Sequence, residues 1–138
     1  MTQPAFTFIA PTGPLIPLVF DSPHSGTWYP DDFGHALPHA TLRQAEDTDV
    51  HDLYGEAPRF GAPLVAANFP RTYIDPNRSM LDIDNALFET PWPGPVSDNP
   101  KIALGIGLVW RVLDTGEAIY NRPLSHAEVM RRITQFHQ

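Results

Sequence analysis

Residues 19–30 read VFDSPHSGTWYP, and the change from apolar to polar residues within this stretch decides the fold. The apolar run at residues 17–22 (PLVFDS) lies between a proline and a Ser-Pro turn, which predicts a short buried strand. His24 follows directly after that strand, at the edge where open α/β sheets bind ligands. Imidazole is the commonest metal ligand, and Gly26 would let the backbone approach a ligand closely. From these residues alone, metal binding and packing within the turn explain His24 equally well.

Strand and helix patterns alternate along the rest of the chain, which predicts an α/β fold. Ser125 and Glu128 match a capping box, so we expect a helix from residue 126 to the end. The other expected elements are a helix over residues 41–60, a long ordered loop over residues 79–104, and strands over residues 63–68, 71–75, 107–113 and 118–120.

The composition excludes several classes of protein. The chain has 138 residues, of which 9 are basic and 16 acidic, and its net charge is -7, so no nucleic-acid partner is expected. No run of about 20 apolar residues occurs, and the N-terminus lacks the pattern of a secretory signal. We therefore expect no membrane partner and a cytoplasmic location. Because the chain has no cysteine, any metal must be held by His, Asp or Glu.

A dense acidic cluster occupies residues 46–52 (EDTDVHD), in which four side chains are carboxylates and one is a histidine. Carboxylates this close repel one another unless a positive charge lies among them, and a divalent metal ion would supply that charge. A solvated acidic helix start is the simpler explanation, since Asp and Glu suit the first turn of a helix. The cluster alone favours that explanation over metal binding.

Residues 71–78 (RTYIDPNR) place charged and polar groups at the end of a predicted strand. Strand alternation puts Arg71 and Asp75 on one face, with Asn77 and Arg78 in the loop that follows. An arginine fork binds a carboxylate through two parallel hydrogen bonds, so the stretch is a candidate carboxylate clamp. A structural Arg–Asp pair at a strand end explains the pattern equally well.

The chain resembles the N-formylglutamate amidohydrolase (N-formylglutamate deformylase) family in an ordered set of stretches: PHSG after a strand, EDTDVHDLY, RTYIDPNR, and GLVWRV followed by EAIYNRPLSHAEVMRRI. This resemblance implies an α/β fold with a mixed sheet flanked by helices, like the N-terminal part of a zinc-carboxypeptidase-like (phosphorylase/hydrolase-like) fold. It also implies a metal-dependent amide hydrolase. The substrate would be a small N-acyl amino acid, N-formyl-L-glutamate, cleaved to formate and L-glutamate in histidine degradation.

The resemblance implies a metal site as well. His24 resembles the first ligand, and Asp49 resembles the acidic ligand, with Asp47 as its rival. The expected cofactor is Zn²⁺ or another divalent metal. A catalytic zinc ion keeps three protein ligands and an open position, so a further ligand is needed.

The resemblance also assigns a substrate-binding role to one stretch and limits what the chain contains. Asn77 and Arg78 resemble residues that hold a substrate carboxylate, and Arg71 resembles a support or a second carboxylate contact. Family members are longer, so we expect residues 1–138 to form a single, incomplete catalytic domain, with the general base and a later histidine ligand elsewhere. The alternative is a catalytically inactive or truncated carboxylate-binding module of the same fold. The sequence leaves two kinds of macromolecular partner open: a second copy of this chain in a homo-oligomer, or a different chain that supplies the missing part.

Overall fold

The sheet of this protein has three strands within residues 3–137, the part of the chain that the structure, a computed structural model, describes. The strands are β1 (Phe6–Ile9), β2 (Phe20–Ser22) and β3 (Leu64–Ala67), in the spatial order β1-β3-β2. Strand β1 pairs with β3 antiparallel, and β2 pairs with β3 in parallel. This mixed sheet, flanked by helices, confirms the predicted α/β fold class.

Four short or medium helices accompany the sheet: α1 (His39–Leu42), α2 (Val50–Leu53), α3 (Pro100–Ala103) and α4 (His126–Phe136). Single 3-10 turns cover Arg43–Ala45, Ala57–Phe60 and Asn85–Leu87. Within residues 3–137 no helix has the length and apolar character needed to cross a membrane.

Helix α4 begins at the predicted capping box. The hydroxyl of Ser125 accepts a hydrogen bond from the Glu128 N–H (3.1 Å), and the Glu128 carboxylate accepts one from the Ser125 N–H (2.7 Å). These two bonds satisfy amide groups that a helix start otherwise leaves without partners. The prediction of this helix is confirmed.

The prediction of one helix over residues 41–60 is wrong. The backbone leaves the helical region at Glu46 (φ -79°, ψ 142°), and Asp49 has a left-handed conformation (φ 61°) immediately before α2. The interruption has a tertiary cause, because the N–H of Asp47 donates to the carbonyl of His24 at 3.0 Å instead of continuing a helix. The segment therefore folds around His24.

The strands predicted over residues 71–75, 107–113 and 118–120 are also wrong. The first is a series of turns, and the other two form only isolated bridges, Ile106–Trp110 and Val112–Ala118. These segments form buried turns and loops. Their backbone groups make isolated hydrogen bonds to other loops, not the regular series of hydrogen bonds between paired strands. An example is the Asp75 N–H, which donates to the Leu108 carbonyl at 2.7 Å.

The three observed strands agree with the sequence-based predictions to different degrees. The strand expected over residues 63–68 is confirmed as β3. The strand expected over residues 17–22 is shorter, since β2 begins at Phe20, and the expected burial is wrong because Val19 is 61% exposed. Strand β1 (FTFI) was not predicted, although its β-branched and aromatic residues are typical of a strand.

The core lies between α4 and the loops that follow the sheet, and Arg132 of α4 is fully buried in it. Its guanidinium donates to the carbonyls of Tyr73 (3.0 Å) and Phe33 (3.1 Å) and to the hydroxyl of Tyr120 (2.7 Å). It also lies 4.1 Å from the centre of the Tyr73 ring. One buried arginine thus fixes three loops to the C-terminal helix.

We predict an acid-dependent loss of stability at the start of α4. Hydrogen bonds from Arg122, partly opposed by burial, lower the pKa of Glu128 to about 2 from 4.5. The stabilisation from Glu128 is therefore present above pH 4.5 and is lost as the pH falls through about 2. In urea unfolding, E128Q should cost about 1 kcal/mol at pH 7, and its difference from the wild type should vanish toward pH 2. The exposed variant E89Q serves as the control, and equal behaviour of the two variants would contradict the prediction.

Candidate active site

A fully buried carboxylate lies at the centre of the candidate site. Asp75 accepts hydrogen bonds from Nε2 of His24 (2.8 Å), from the N–H of Asn77 (2.9 Å) and from Nε1 of Trp110 (3.3 Å). A guanidinium nitrogen of Arg71 lies 3.4 Å from Oδ2 of Asp75, the oxygen that also accepts the bond from Trp110. Because an isolated buried charge is costly, these donors and the arginine are what allow an ionised carboxylate here.

The local fold explains how His24 reaches this carboxylate. Strand β2 ends at Ser22, whose hydroxyl is hydrogen-bonded to that of Ser25 at 2.6 Å across the turn. Gly26 is needed for packing, since a Cβ atom there would lie 2.3 Å from the Phe69 carbonyl oxygen. The close approach that we expected toward a ligand is thus made toward the protein's own backbone. The turn presents the His24 ring to the interior of the site.

The charge state of Asp75 follows from its surroundings. Burial raises the pKa of Asp75, but the hydrogen bond and charge of His24, the Asn77 N–H and the charge of Arg71 together lower it below its ordinary value. At neutral pH the group is therefore a carboxylate, which only accepts hydrogen bonds. It follows that Nε2 of His24 carries the proton in their shared hydrogen bond.

The other ring nitrogen of His24 faces a second carboxylate. Its Nδ1 atom lies 3.3 Å from an oxygen of Asp47, whose side chain is half-exposed. With the proton on Nε2, a neutral His24 directs the Nδ1 lone pair at a negative oxygen, which is unfavourable unless a cation lies between them. A proton or a metal ion meets that need. A separation of about 3.3 Å also suits two neighbouring donors of tetrahedral zinc, given bonds of about 2.0–2.1 Å.

The structure distinguishes the two candidate acidic ligands by position. Asp47 contacts His24, while its second oxygen lies 3.5 Å from Arg71. Asp49 is exposed, and within residues 3–137 its carboxylate forms no ion pair with a basic side chain. Geometry therefore favours Asp47, the rival in the sequence-based assignment. In the same described range, no group of three His, Cys, Asp or Glu side chains gathers for a metal ion, so this part of the chain brings two donors together.

The predicted carboxylate clamp lies beside this pair. Arg71 stacks over Trp110, with 4.8 Å from its guanidinium carbon to the ring centre, and its buried Nε has no hydrogen-bond partner within the described chain. Arg78 lies 3.9 Å from Asp75 and donates to the Ile106 carbonyl at 3.1 Å. The structure thus places both arginines at one carboxylate.

Asn77 is the most exposed member of the predicted carboxylate clamp. It is exposed, and it lines a small cavity together with Pro23 and Phe136. Its side-chain amide is therefore accessible from solvent, whereas most of Arg71 and Arg78 is covered.

Two contributors were missed from the sequence. Asp75 was considered only as a partner of Arg71, and Trp110 only as part of an apolar run. The sequence did contain a signal for Trp110, because a buried tryptophan usually needs a hydrogen-bond acceptor for its indole N–H. No local pattern indicates that Asp75 meets His24, since the two residues are 51 positions apart.

The fold and the site define an α/β protein with a carboxylate-oriented histidine and two arginines at the end of a sheet strand. A family model for N-formylglutamate amidohydrolase matches residues 16–138. The chain is similar to the crystal structure of N-formylglutamate amidohydrolase from Ralstonia eutropha JMP134, with 50% sequence identity and a TM-score of 0.90. No curated protein sequence matches it.

The protein belongs to the N-formylglutamate amidohydrolase family. The similarity to the Ralstonia eutropha structure covers 96% of this chain and 48% of the other. This chain therefore spans about half the length of that solved relative. The resemblance inferred from the sequence is confirmed.

We predict that D75N strongly destabilises the fold. The variant leaves Arg71 and Arg78 without their shared counter-charge, and breaking a buried ion pair on one side costs about 3–5 kcal/mol. Urea unfolding at pH 7 measures the loss. The control D47N removes a half-exposed carboxylate and should cost less than about 1 kcal/mol. Equal midpoints for D75N and D47N would show that Asp75 does not organise the site.

Proposed function

We propose that this chain supplies part of the active site of an N-formylglutamate amidohydrolase, which hydrolyses N-formyl-L-glutamate to formate and L-glutamate. Family membership supports the reaction class. The observation that carries the proposal is the position of His24, with Nε2 bound to the buried Asp75 and Nδ1 directed at Asp47. This arrangement leaves one basic nitrogen and one carboxylate oxygen for a shared cation.

In this proposal a divalent metal ion, zinc in the first instance, is held by Nδ1 of His24 and the carboxylate of Asp47. When bound, such an ion polarises a carbonyl group and makes water a better nucleophile near neutral pH. Asp75 fixes the tautomer and orientation of the His24 ring and makes Nδ1 a stronger donor. The third protein ligand and the general base belong to a part of the family fold that this chain does not span.

The arginines and Asn77 are proposed to bind the carboxylates of the substrate. Arg71 and Arg78 both lie against Asp75, and Arg71 also lies 3.5 Å from Asp47. A metal ion that engaged Asp47 would leave the two arginines with Asp75 as their shared counter-charge, so that a substrate carboxylate could supply the second negative charge. A guanidinium group binds a carboxylate through two parallel hydrogen bonds. The exposed amide of Asn77 completes a set of donors suited to an acidic substrate.

The proposal predicts which carboxylate controls metal affinity. In zinc titrations followed by calorimetry, H24A should abolish specific binding, and D47N should weaken it by at least about tenfold, because each removes a donor. D49N is the matched control, two positions away, and should change the affinity by less than about twofold. Zinc binding that survives H24A, or that depends on Asp49 and not on Asp47, would overturn this assignment.

The carboxylate-binding module is the second candidate function, and the two arginines beside Asp75 favour it, because neither of them is among the proposed metal ligands. Thermal unfolding with glutamate, in the presence and absence of a chelator, distinguishes this module from the metal-dependent hydrolase. If glutamate raises the melting temperature equally in both conditions, carboxylate binding is independent of metal and the module is the better description. A rise that requires zinc supports the hydrolase.

A further inference from the structure

The two arginines of the candidate site lie farther from their carboxylates than arginines elsewhere in the chain do. Arg71 lies 3.4 Å from Asp75 and 3.5 Å from Asp47, and Arg78 lies 3.9 Å from Asp75. Charge-assisted hydrogen bonds between a guanidinium group and a carboxylate usually measure about 2.7–2.9 Å. Five other arginines within residues 3–137 form an ion pair at 2.6–3.0 Å: Arg43, Arg59, Arg111, Arg122 and Arg131. The site arginines are more buried than these five, so their attraction to a carboxylate is stronger and the wide spacing needs a cause.

Trp110 supplies that cause for Arg71. The guanidinium carbon of Arg71 lies 4.8 Å from the centre of the Trp110 ring, and an aromatic face attracts a cation, most strongly where water is excluded. Trp110 is 2% exposed. Its indole N–H donates at 3.3 Å to Oδ2 of Asp75, the same oxygen that Arg71 approaches. Trp110 therefore competes with the Arg71–Asp75 ion pair twice, through its face for the guanidinium and through its edge for the carboxylate oxygen.

Arg78 is held by the same loop, residues 106–110 (IGLVW). Its Nε atom donates to the main-chain carbonyl of Ile106 at 3.1 Å, which directs that N–H away from Asp75. The loop is in turn fixed to the stretch that carries the arginines, because the Leu108 carbonyl accepts from the Asp75 N–H at 2.7 Å. One loop thus contacts both guanidinium groups and the carboxylate between them.

We infer that residues 106–110 keep the two arginines from closing on Asp75, so that both stay able to bind a carboxylate of a ligand. Trp110 is a positioning residue, which acts on the ligand through Arg71. The inference rests on the carboxylate-binding role proposed above for the arginines. It adds the reason why the internal acid does not satisfy them fully.

The first test removes the aromatic face under Arg71. W110L should let Arg71 close on Asp75 or Asp47, and the affinity for L-glutamate should fall by at least about tenfold, because a guanidinium already paired gives up its bidentate contact. W110F keeps an aromatic face and should stay within about threefold of the wild type. Calorimetry measures both variants with zinc and with a chelator, and W92L, which removes a partly buried tryptophan elsewhere, is the matched control.

A crystal structure of W110L adds a readout that needs no ligand. In that variant a nitrogen of Arg71 should lie within about 3.0 Å of a carboxylate oxygen of Asp75 or Asp47.

A size-conserving replacement covers the case in which W110L does not fold. Fluorinated tryptophans, incorporated site-specifically at position 110, keep the shape of the ring and weaken its attraction for a cation. The affinity for L-glutamate should fall stepwise with the number of fluorine atoms, by at least about threefold for the most fluorinated ring. Circular dichroism and the melting temperature should change little across the series, which a purely structural role of Trp110 would not explain.

Three results would overturn the inference: equal glutamate affinities of W110L and W110F, an affinity that does not change along the fluorinated series, or a W110L structure in which Arg71 stays at least 3.4 Å from both carboxylates. If the wild type binds glutamate, any of these results leaves the proposed function standing, because only the means of holding Arg71 is then wrong. If the wild type binds glutamate neither with zinc nor with a chelator, the proposed role of the arginines fails and this inference fails with it.

Discussion

The structure depends on one buried negative charge. The Asp75 carboxylate has no exposed surface, and a charge removed from water must be surrounded by donors or counter-charges. Here the donors come from segments far apart in the chain, namely His24 after β2, the indole of Trp110, and the arginines of residues 71–78. The need to satisfy this one group brings the turn after the sheet, the arginine stretch and the apolar loop together.

The same charge determines the chemistry that His24 offers. Because Asp75 accepts a hydrogen bond from the Nε2 N–H, the ring presents the unprotonated Nδ1 in a fixed direction, toward Asp47. Asp47 is only half-buried, so the open side of the site begins there. A buried carboxylate, an imidazole and a second carboxylate at the surface form one continuous chain of contacts. Arg71 bridges both ends of it, since its guanidinium lies near Asp47 as well as Asp75.

The predictable part of the molecule was the part specified by local sequence. The capping box at Ser125 and the apolar run of β3 each carry their signal within a few residues, and both elements are present. The helix expected over residues 41–60 failed because a long-range bond, from the Asp47 N–H to the His24 carbonyl, outweighs helix propensity there. The site shows the same division. His24, Arg71, Asn77 and Arg78 were predicted as site residues from their type and position, whereas the pairing of His24 with Asp75 arises from tertiary structure alone.

The most direct test of this account is the protonation of the two His24 nitrogens, measured by ¹⁵N NMR of the imidazole ring during a zinc titration. The account predicts that Nε2 keeps its proton throughout, held by Asp75, and that zinc shifts the Nδ1 resonance to that of a metal-bound nitrogen. A proton that leaves Nε2 on zinc addition, or a zinc shift at Nε2 with Nδ1 unchanged, would contradict the central role assigned to Asp75.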